Sequence, residues 1–210
     1  EFYNLYGRDV TANRLLAQLH ADNERLLLNI LPSAIALRLR GGESKIADHF
    51  EEMSVVFADI VGFTKLSSLI SPTDLLKILN KVFSAFDLVA EKYGLEKIKT
   101  IGDAYMVVGG LNEDPDHISQ MARMALDIVS IMEDGSEEWG QPLSIRVGMH
   151  IGPAVAGVIG IKKFIYDVWG DTVNLASRLE STSTTGRIQV SEKTKNLLED
   201  QFNFAYRGMV

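Results

Sequence analysis

Two kinds of hydrophobic spacing divide the chain. Near the start, Leu16, Leu19, Asn23, Leu26 and Ile30 recur at alternating steps of three and four residues, the spacing of a heptad seam with one polar position. A helix from about Asp9 to Pro32 with this seam either pairs with a second copy as a coiled coil, Asn23 setting the register, or packs on its own domain. Pro32 interrupts the backbone ladder, and Gly41-Gly42 ends the short apolar stretch over 34–39. Residues 1–50 therefore read as a helix and a connector, and 51–210 as the main domain.

From about Glu51 the pattern alternates between strand and helix. The apolar run over 53–58 predicts a strand, and Ser71-Pro72 predicts a helix start with a capping hydroxyl and a proline in the first turn. Leu75, Ile78, Leu79, Val82, Phe83, Phe86 and Val89 keep one face of that helix, which Gly94 closes. Strands at 97–101 and 104–108 follow, joined by Gly102-Asp103 in a tight hairpin turn; by period two, Lys97 and Lys99 fall on one face. A second helix turns Ile118, Met121, Ala122, Ala125, Leu126, Val129 and Met132 inward, and a strand at 143–149 comes after the polar loop 133–141. The order β-α-β-β-α-β predicts an α+β, ferredoxin-like domain with two helices on one face of an antiparallel sheet. Additional C-terminal elements are expected: a Gly-rich hairpin over 155–166, a helix from Thr172 to about Glu180, a strand at 187–190 and a helix opened by Ser191.

Composition narrows the function. Of 210 residues, 46% are hydrophobic and 23% charged, enough to build a core. The absence of cysteine excludes disulfides and thiolate metal sites and fits a reducing compartment, so a cytoplasmic location is expected. A net charge of -7 argues against general nucleic-acid binding, which needs a basic surface. No apolar run approaches the roughly 20 residues of a membrane span, and no leader-like order opens the chain. The abrupt start at Glu1-Phe2 and the end at Val210 suggest a piece of a longer protein.

Two regions carry candidate chemistry. Asp59 follows the first strand and Asp103 occupies the hairpin turn, so neighbouring strands can bring both carboxylates to one edge of the sheet, where hard divalent cations find oxygen ligands. Ile60, Val61, Gly62, Phe63 and Thr64 form a turn whose backbone N–H groups can face phosphate oxygens. In the helix after Gly170-Asp171, Asn174, Ser177 and Arg178 share one face and Val173, Ala176 and Leu179 the other; an amide and an arginine fork suit a sugar hydroxyl and a phosphoryl group. On spacing alone, Asp59 could equally be a helix cap, Asp103 an ordinary turn residue and Arg178 a solvated side chain. The four histidines are scattered and suggest no catalytic or metal role, with His150 a strand residue near the core.

Three separated segments change that balance. Phe57-Ala58-Asp59-Ile60-Val61-Gly62-Phe63-Thr64, the stretch Lys97 to Met106 containing Gly102-Asp103, and Tyr166-Asp167-Val168-Trp169-Gly170-Asp171-Thr172-Val173-Asn174-Leu175-Ala176-Ser177-Arg178 resemble the signature segments of class III adenylyl and guanylyl cyclases, in order, from Glu51 to the C-terminus. The resemblance implies that Asp59 and Asp103, with the Ile60 carbonyl, hold two divalent ions, Mg²⁺ or Mn²⁺. It implies that Gly62, Phe63 and Thr64 line the substrate phosphates, that Arg178 neutralises the α-phosphate and that Asn174 positions the ribose. The base for the 3′-hydroxyl stays open between metal-bound hydroxide, Asp59 and the substrate itself. Lys99 and Asp167 match the base-reading pair; a donor and an acceptor suit adenine, whereas guanylyl members resemble Glu and Cys at these places, so ATP is the expected substrate and cyclic AMP the product. The resemblance further implies a homodimer with shared sites and an upstream sensor or regulatory domain. A guanylyl cyclase, or a catalytically silent dimeric regulatory module, is the alternative. Two departures stand out: Gly152 is followed by Pro153 where some members carry Arg, and a triphosphate-binding Lys that many members carry beyond the equivalent of Arg207-Gly208 would fall past Val210.

Overall fold

The structure is a computed structural model that describes residues 14–19, 31–43, 45–112, 114–135, 142–160 and 162–208. The chain divides into two compact units, residues 1–46 with 160–165, and residues 47–159 with 166–210. In the first, the backbone is helical over 14–19, and helix α1 spans Ser33–Arg40. Asn23, Leu26 and Ile30 of the expected seam lie outside the described residues. Pro32 caps α1, and Arg38 forms an ion pair with Glu43 at 2.6 Å just beyond its end.

The second unit contains strands β1 (Ala47–Ile60), β2 (Glu96–Ile101), β3 (Ala104–Gly109), β4 (Ile145–Ile159), β5 (Ile165–Trp169, whose first residue falls in the other unit) and β6 (Ile188–Val190). Its helices are α2 (Phe63–Ser67), α3 (Pro72–Lys92), α4 (His117–Asp134), α5 (Asp171–Ser181) and α6 (Glu192–Leu198). Strand order is β2-β3-β1-β4-β5, with β6 parallel to β4 and the β1 pairings to β3 and β4 antiparallel. The expected ferredoxin-like order is therefore present, with the C-terminal elements added to it.

Local signals explain where the elements begin. Ser71 caps α3 by accepting the Asp74 N–H at 3.2 Å, with Pro72 in the first turn. Gly102 turns the β2–β3 hairpin with φ of 64°, a conformation that an L side chain resists. Ser191 caps α6 in the same way as Ser71 caps α3.

One face of the sheet buries Val56, Ala58, Ile60, Tyr105, Val107, Ile145, Val147 and Met149 under α3 and α4. In α4 the inward stripe differs from the expected one: Met124 and Ile128 are fully buried, whereas Leu126 points outward. The sheet lies nearer the 117–121–124–128 side of the helix than hydrophobicity alone indicates.

The strands run longer than the sequence suggests. β1 covers 14 residues, and β4 continues for 15 through Gly148, Gly152 and Pro153 into the stretch expected to form a Gly-rich hairpin. A break in register between Phe50 and Met53, opposite this Gly-Pro step, lets the ribbon continue.

Strand β2 has a bulge of its own. Lys97 pairs with Val107 and Lys99 with Met106, so the two lysines lie on opposite faces and not, as period two implies, on one. Lys97 turns to the helix side and binds Asp87 of α3 at 2.8 Å, while Lys99 turns to the other side.

Candidate active site

Asp59, Phe57 and Val55 point away from the α3–α4 layer, because Ala58 and Val56 point into it. Helix α5 lies on this second face. Gly148, opposite Phe57 in register, is where it comes closest: a Cβ there would stand 2.0 Å from the Glu180 nitrogen and 2.5 Å from the Ala176 carbonyl oxygen. Thr172 anchors the start of the helix by donating its hydroxyl to the Pro153 carbonyl at 2.7 Å. Thr172, Ala176 and Glu180 form the buried stripe of α5, in place of the expected Val173, Ala176 and Leu179. The glycine in β4 admits the helix backbone directly, at Ala176 and Glu180, one turn apart.

The two aspartates meet. Asp59 pairs with Ala104 in register, which brings the preceding turn residue, Asp103, beside it. Burial pushes the Asp103 carboxyl above its ordinary range, and the negative charge of Asp59 beside it pushes it further. Ile60 buries its side chain in the core, leaving only its backbone carbonyl as a candidate ligand. Gly62 takes φ of 75° at the head of α2 with open space around it, and the turn delivers Phe63 and Thr64 beyond the end of β1.

Sequence reasoning missed two charged residues in this place. Arg146, beside Asp59 on β4, donates from Nη2 to Asp59 Oδ2 at 2.8 Å and lies 3.2 Å from Glu180 Oε1. Burial raises the Glu180 carboxyl to about 7, with the charges of Asp59 and Asp103 adding to the rise and that of Arg146 opposing it. The available signal was positional: Glu180 falls one turn after Ala176 on the stripe that faces Gly148.

Lys99 and Asp167 are also brought together, as a direct ion pair between β2 and β5. Asp167 is buried; its other oxygen accepts the Val168 N–H at 2.8 Å, which fixes the carboxylate. Asn174 and Arg178 stand exposed on the outer side of α5, and among the described residues no hydrogen bond or ion pair joins their side chains to either pair. His117 is buried with Nδ1 at 2.9 Å from the Ser54 hydroxyl, and His150 binds the Ser191 hydroxyl at 2.7 Å; both are structural contacts.

The sequence profile of the adenylate and guanylate cyclase catalytic domain matches residues 46–210. The chain belongs to this family. The cyclase domain is 47% identical over 193 residues to an adenylate cyclase of Mycobacterium bovis, covering 91% of this chain and 44% of the relative. It is 37% identical over 209 residues to a membrane guanylyl cyclase of Dictyostelium discoideum, covering 98% and 14% respectively. Among solved structures, the catalytic core of a rhodopsin-guanylyl cyclase with converted specificity, in complex with ATPαS, superposes with a TM-score of 0.72 at 40% identity, over 75% of this chain and 86% of that one. The chain thus spans less than half the length of these curated relatives.

Cyclase domains act on nucleotides and use divalent metal ions. The donor set fits such an ion. Two adjoining carboxylates repel each other, and a divalent cation beside Asp59 and Asp103 relieves that repulsion. Among the described residues no group of three or more His, Asp or Glu side chains is gathered to hold a metal. Backbone carbonyl, water and phosphate oxygens would complete the shell, as is usual for Mg²⁺. No described helix is long and apolar enough to cross a membrane.

Proposed function

We propose that this cyclase domain converts ATP to 3′,5′-cyclic AMP and pyrophosphate, in sites shared between two copies of the chain. The observation that carries the reading is the meeting of Asp59 and Asp103 at the ends of neighbouring strands. These carboxylates and the Ile60 carbonyl would hold two divalent ions, which supply the charge that acidifies the ribose 3′-hydroxyl and offsets that of the triphosphate. The 3′-oxygen attacks the α-phosphorus in line, the bond to the bridging oxygen of the β-phosphate breaks, and pyrophosphate leaves. Arg178 stabilises the charge growing on the α-phosphate oxygens and Asn174 holds the ribose. Gly62, Phe63 and Thr64 offer backbone N–H groups to the phosphates.

Lys99 and Asp167 read the base. With their ion pair opened, the ammonium donates to adenine N1 and the carboxylate accepts from N6, whereas guanine offers the opposite pattern. The exposed Asn174 and Arg178, whose side chains have no hydrogen-bond or ion-pair partner among the described residues, suit a partner's metal site, because a two-fold dimer repeats each contact and completes two equivalent centres. Residues 1–50 serve as a connector from an upstream sensor, and 51–210 as the catalytic domain.

Product analysis tests the reading: protein incubated with ATP or GTP and Mg²⁺ or Mn²⁺, beside Asp59→Ala. Metal-dependent cyclic AMP that disappears in the variant supports it. Cyclic GMP in its place reassigns the base pair, and silence with both nucleotides leaves the regulatory-module reading.

A further inference from the structure

Arg146 and Glu180 form an incomplete pair next to Asp59. The guanidinium spends Nη2 on Asp59 at 2.8 Å, and the same nitrogen is 3.2 Å from Glu180 Oε1 without hydrogen-bond geometry. Arg146 Nε and Glu180 Oε1 are both buried and lack a hydrogen-bond partner among the described residues. Two orphaned, complementary atoms on side chains already in contact are costly to leave so. A small rotation of the guanidinium toward α5 would join them, at the expense of the bond to Asp59. In the arrangement seen, Nη1 also donates to the Ser181 carbonyl at 3.4 Å, so the guanidinium already spans from Asp59 to α5, and a second arrangement on Glu180 lies close by.

We propose that Arg146 is a positioning residue that holds Asp59 while the metal site is empty and moves to Glu180 when a divalent cation takes Asp59. Glu180 acts through Arg146, as the acceptor that makes release of Asp59 possible. The inference rests on the assignment of Asp59 as a metal ligand. It adds a consequence: the guanidinium ties the end of β1 to the helix carrying Asn174 and Arg178, so filling one protomer's metal site bears on the helix that serves the other.

The test measures Mn²⁺ affinity by electron paramagnetic resonance of free Mn²⁺, without nucleotide, at about pH 8, together with the Mn²⁺ concentration that half-activates cyclisation. The proteins are wild type, Asp59→Ala, Arg146→Gln, Glu180→Gln and the Arg146→Gln/Glu180→Gln double variant, each checked for cooperative unfolding. Arg146→Gln removes a competing cation and should tighten Mn²⁺ binding. Glu180→Gln traps the guanidinium on Asp59 and should weaken it by about three- to tenfold, the scale of a screened charge pair. In the Arg146→Gln background, Glu180→Gln should have no further effect. An equal weakening in both backgrounds means a direct through-space charge and overturns the proposal, as does unchanged affinity in both single variants while Asp59→Ala abolishes binding. Should Asp59→Ala retain wild-type Mn²⁺ binding, or wild type bind none, the metal assignment itself falls and the proposal with it. Arg146→Lys, which keeps the charge but cannot form the forked contact, should bind Mn²⁺ closer to wild type than Arg146→Gln does; identical behaviour of the two would also count against the exchange.

Discussion

Gly148→Ala isolates the seat of α5. The added Cβ would meet the Glu180 nitrogen at 2.0 Å, the Ala176 carbonyl oxygen at 2.5 Å and the Glu180 Cα at 2.6 Å, all of them backbone atoms that cannot rotate away. An ordinary contact begins near 3.4 Å, so the strand and helix must separate by about 1.4 Å at this point. Overpacking of this kind costs about 1–3 kcal/mol or more. For a domain of this size each kcal/mol lowers Tm by roughly 2–4 °C, so a loss of about 2–12 °C is expected. The displaced helix carries Asn174 and Arg178, and a misplacement of about 1 Å can reduce kcat/KM by about a hundredfold. Gly94→Ala is the control: its φ of 64° brings backbone strain of about 1–2 kcal/mol, but no atom lies within 4 Å of the new methyl group, and the residue stands outside the candidate site. Thermal unfolding by circular dichroism and initial rates of cyclic nucleotide formation decide the matter. A Gly148→Ala protein with wild-type Tm refutes the packing argument. One that is destabilised but retains wild-type kcat/KM refutes the link from helix position to catalysis.

Other outcomes follow from the same geometry. Mixing Asp59→Ala with Arg178→Ala should restore part of the activity that each lacks alone, since one intact site can form in a mixed dimer; stable mixed dimers that stay silent exclude shared sites. Replacing Lys99 by Glu and Asp167 by Cys together should raise the preference for GTP over ATP by about a hundredfold or more, read as the ratio of kcat/KM values; an unchanged ratio places base reading elsewhere. Stability should depend on pH through Glu180. Its carboxyl is raised to about 7 in the folded state, so the folded protein binds the proton more tightly than the unfolded chain, and the resulting stability is full below about pH 4.5 and lost as pH rises through 7. Metal-free protein should thus lose about 1–2 kcal/mol between about pH 5 and 8, after allowance for solvent screening, and Glu180→Gln should flatten that slope in urea unfolding.

Much of this protein was legible from local chemistry. Ser71 with Pro72, Gly102 and Ser191 act within a few residues of where they stand, so the helix starts and the hairpin follow from the chain itself. The β-α-β-β-α-β order follows from hydrophobic periods that each element carries alone. The candidate residues were legible for a different reason: three segments resemble one family, and residue identity survives whatever the register. What those segments left unsaid is which side chains meet.

Pairing decided the rest. Period two holds only while a ladder is regular, and the bulge in β2 sends Lys97 to Asp87 and Lys99 to Asp167; nothing in the Lys-Ile-Lys spacing announces it. The extent of β4 depends on β1 lying alongside to accept the Gly152-Pro153 step with a compensating break of its own. Glu180 looks like a surface residue on a short helix until Gly148, more than thirty positions earlier, draws that stripe against the sheet. Arg146 and Glu180 then take their meaning from Asp59, because a buried charge is tolerable only beside its partners, and partners distant in sequence are supplied by the fold. By itself the sequence determined the elements, their order and the chemical groups on offer; tertiary structure determined the faces, the register and the charge network, since these depend on atoms that the chain brings together only once it has folded.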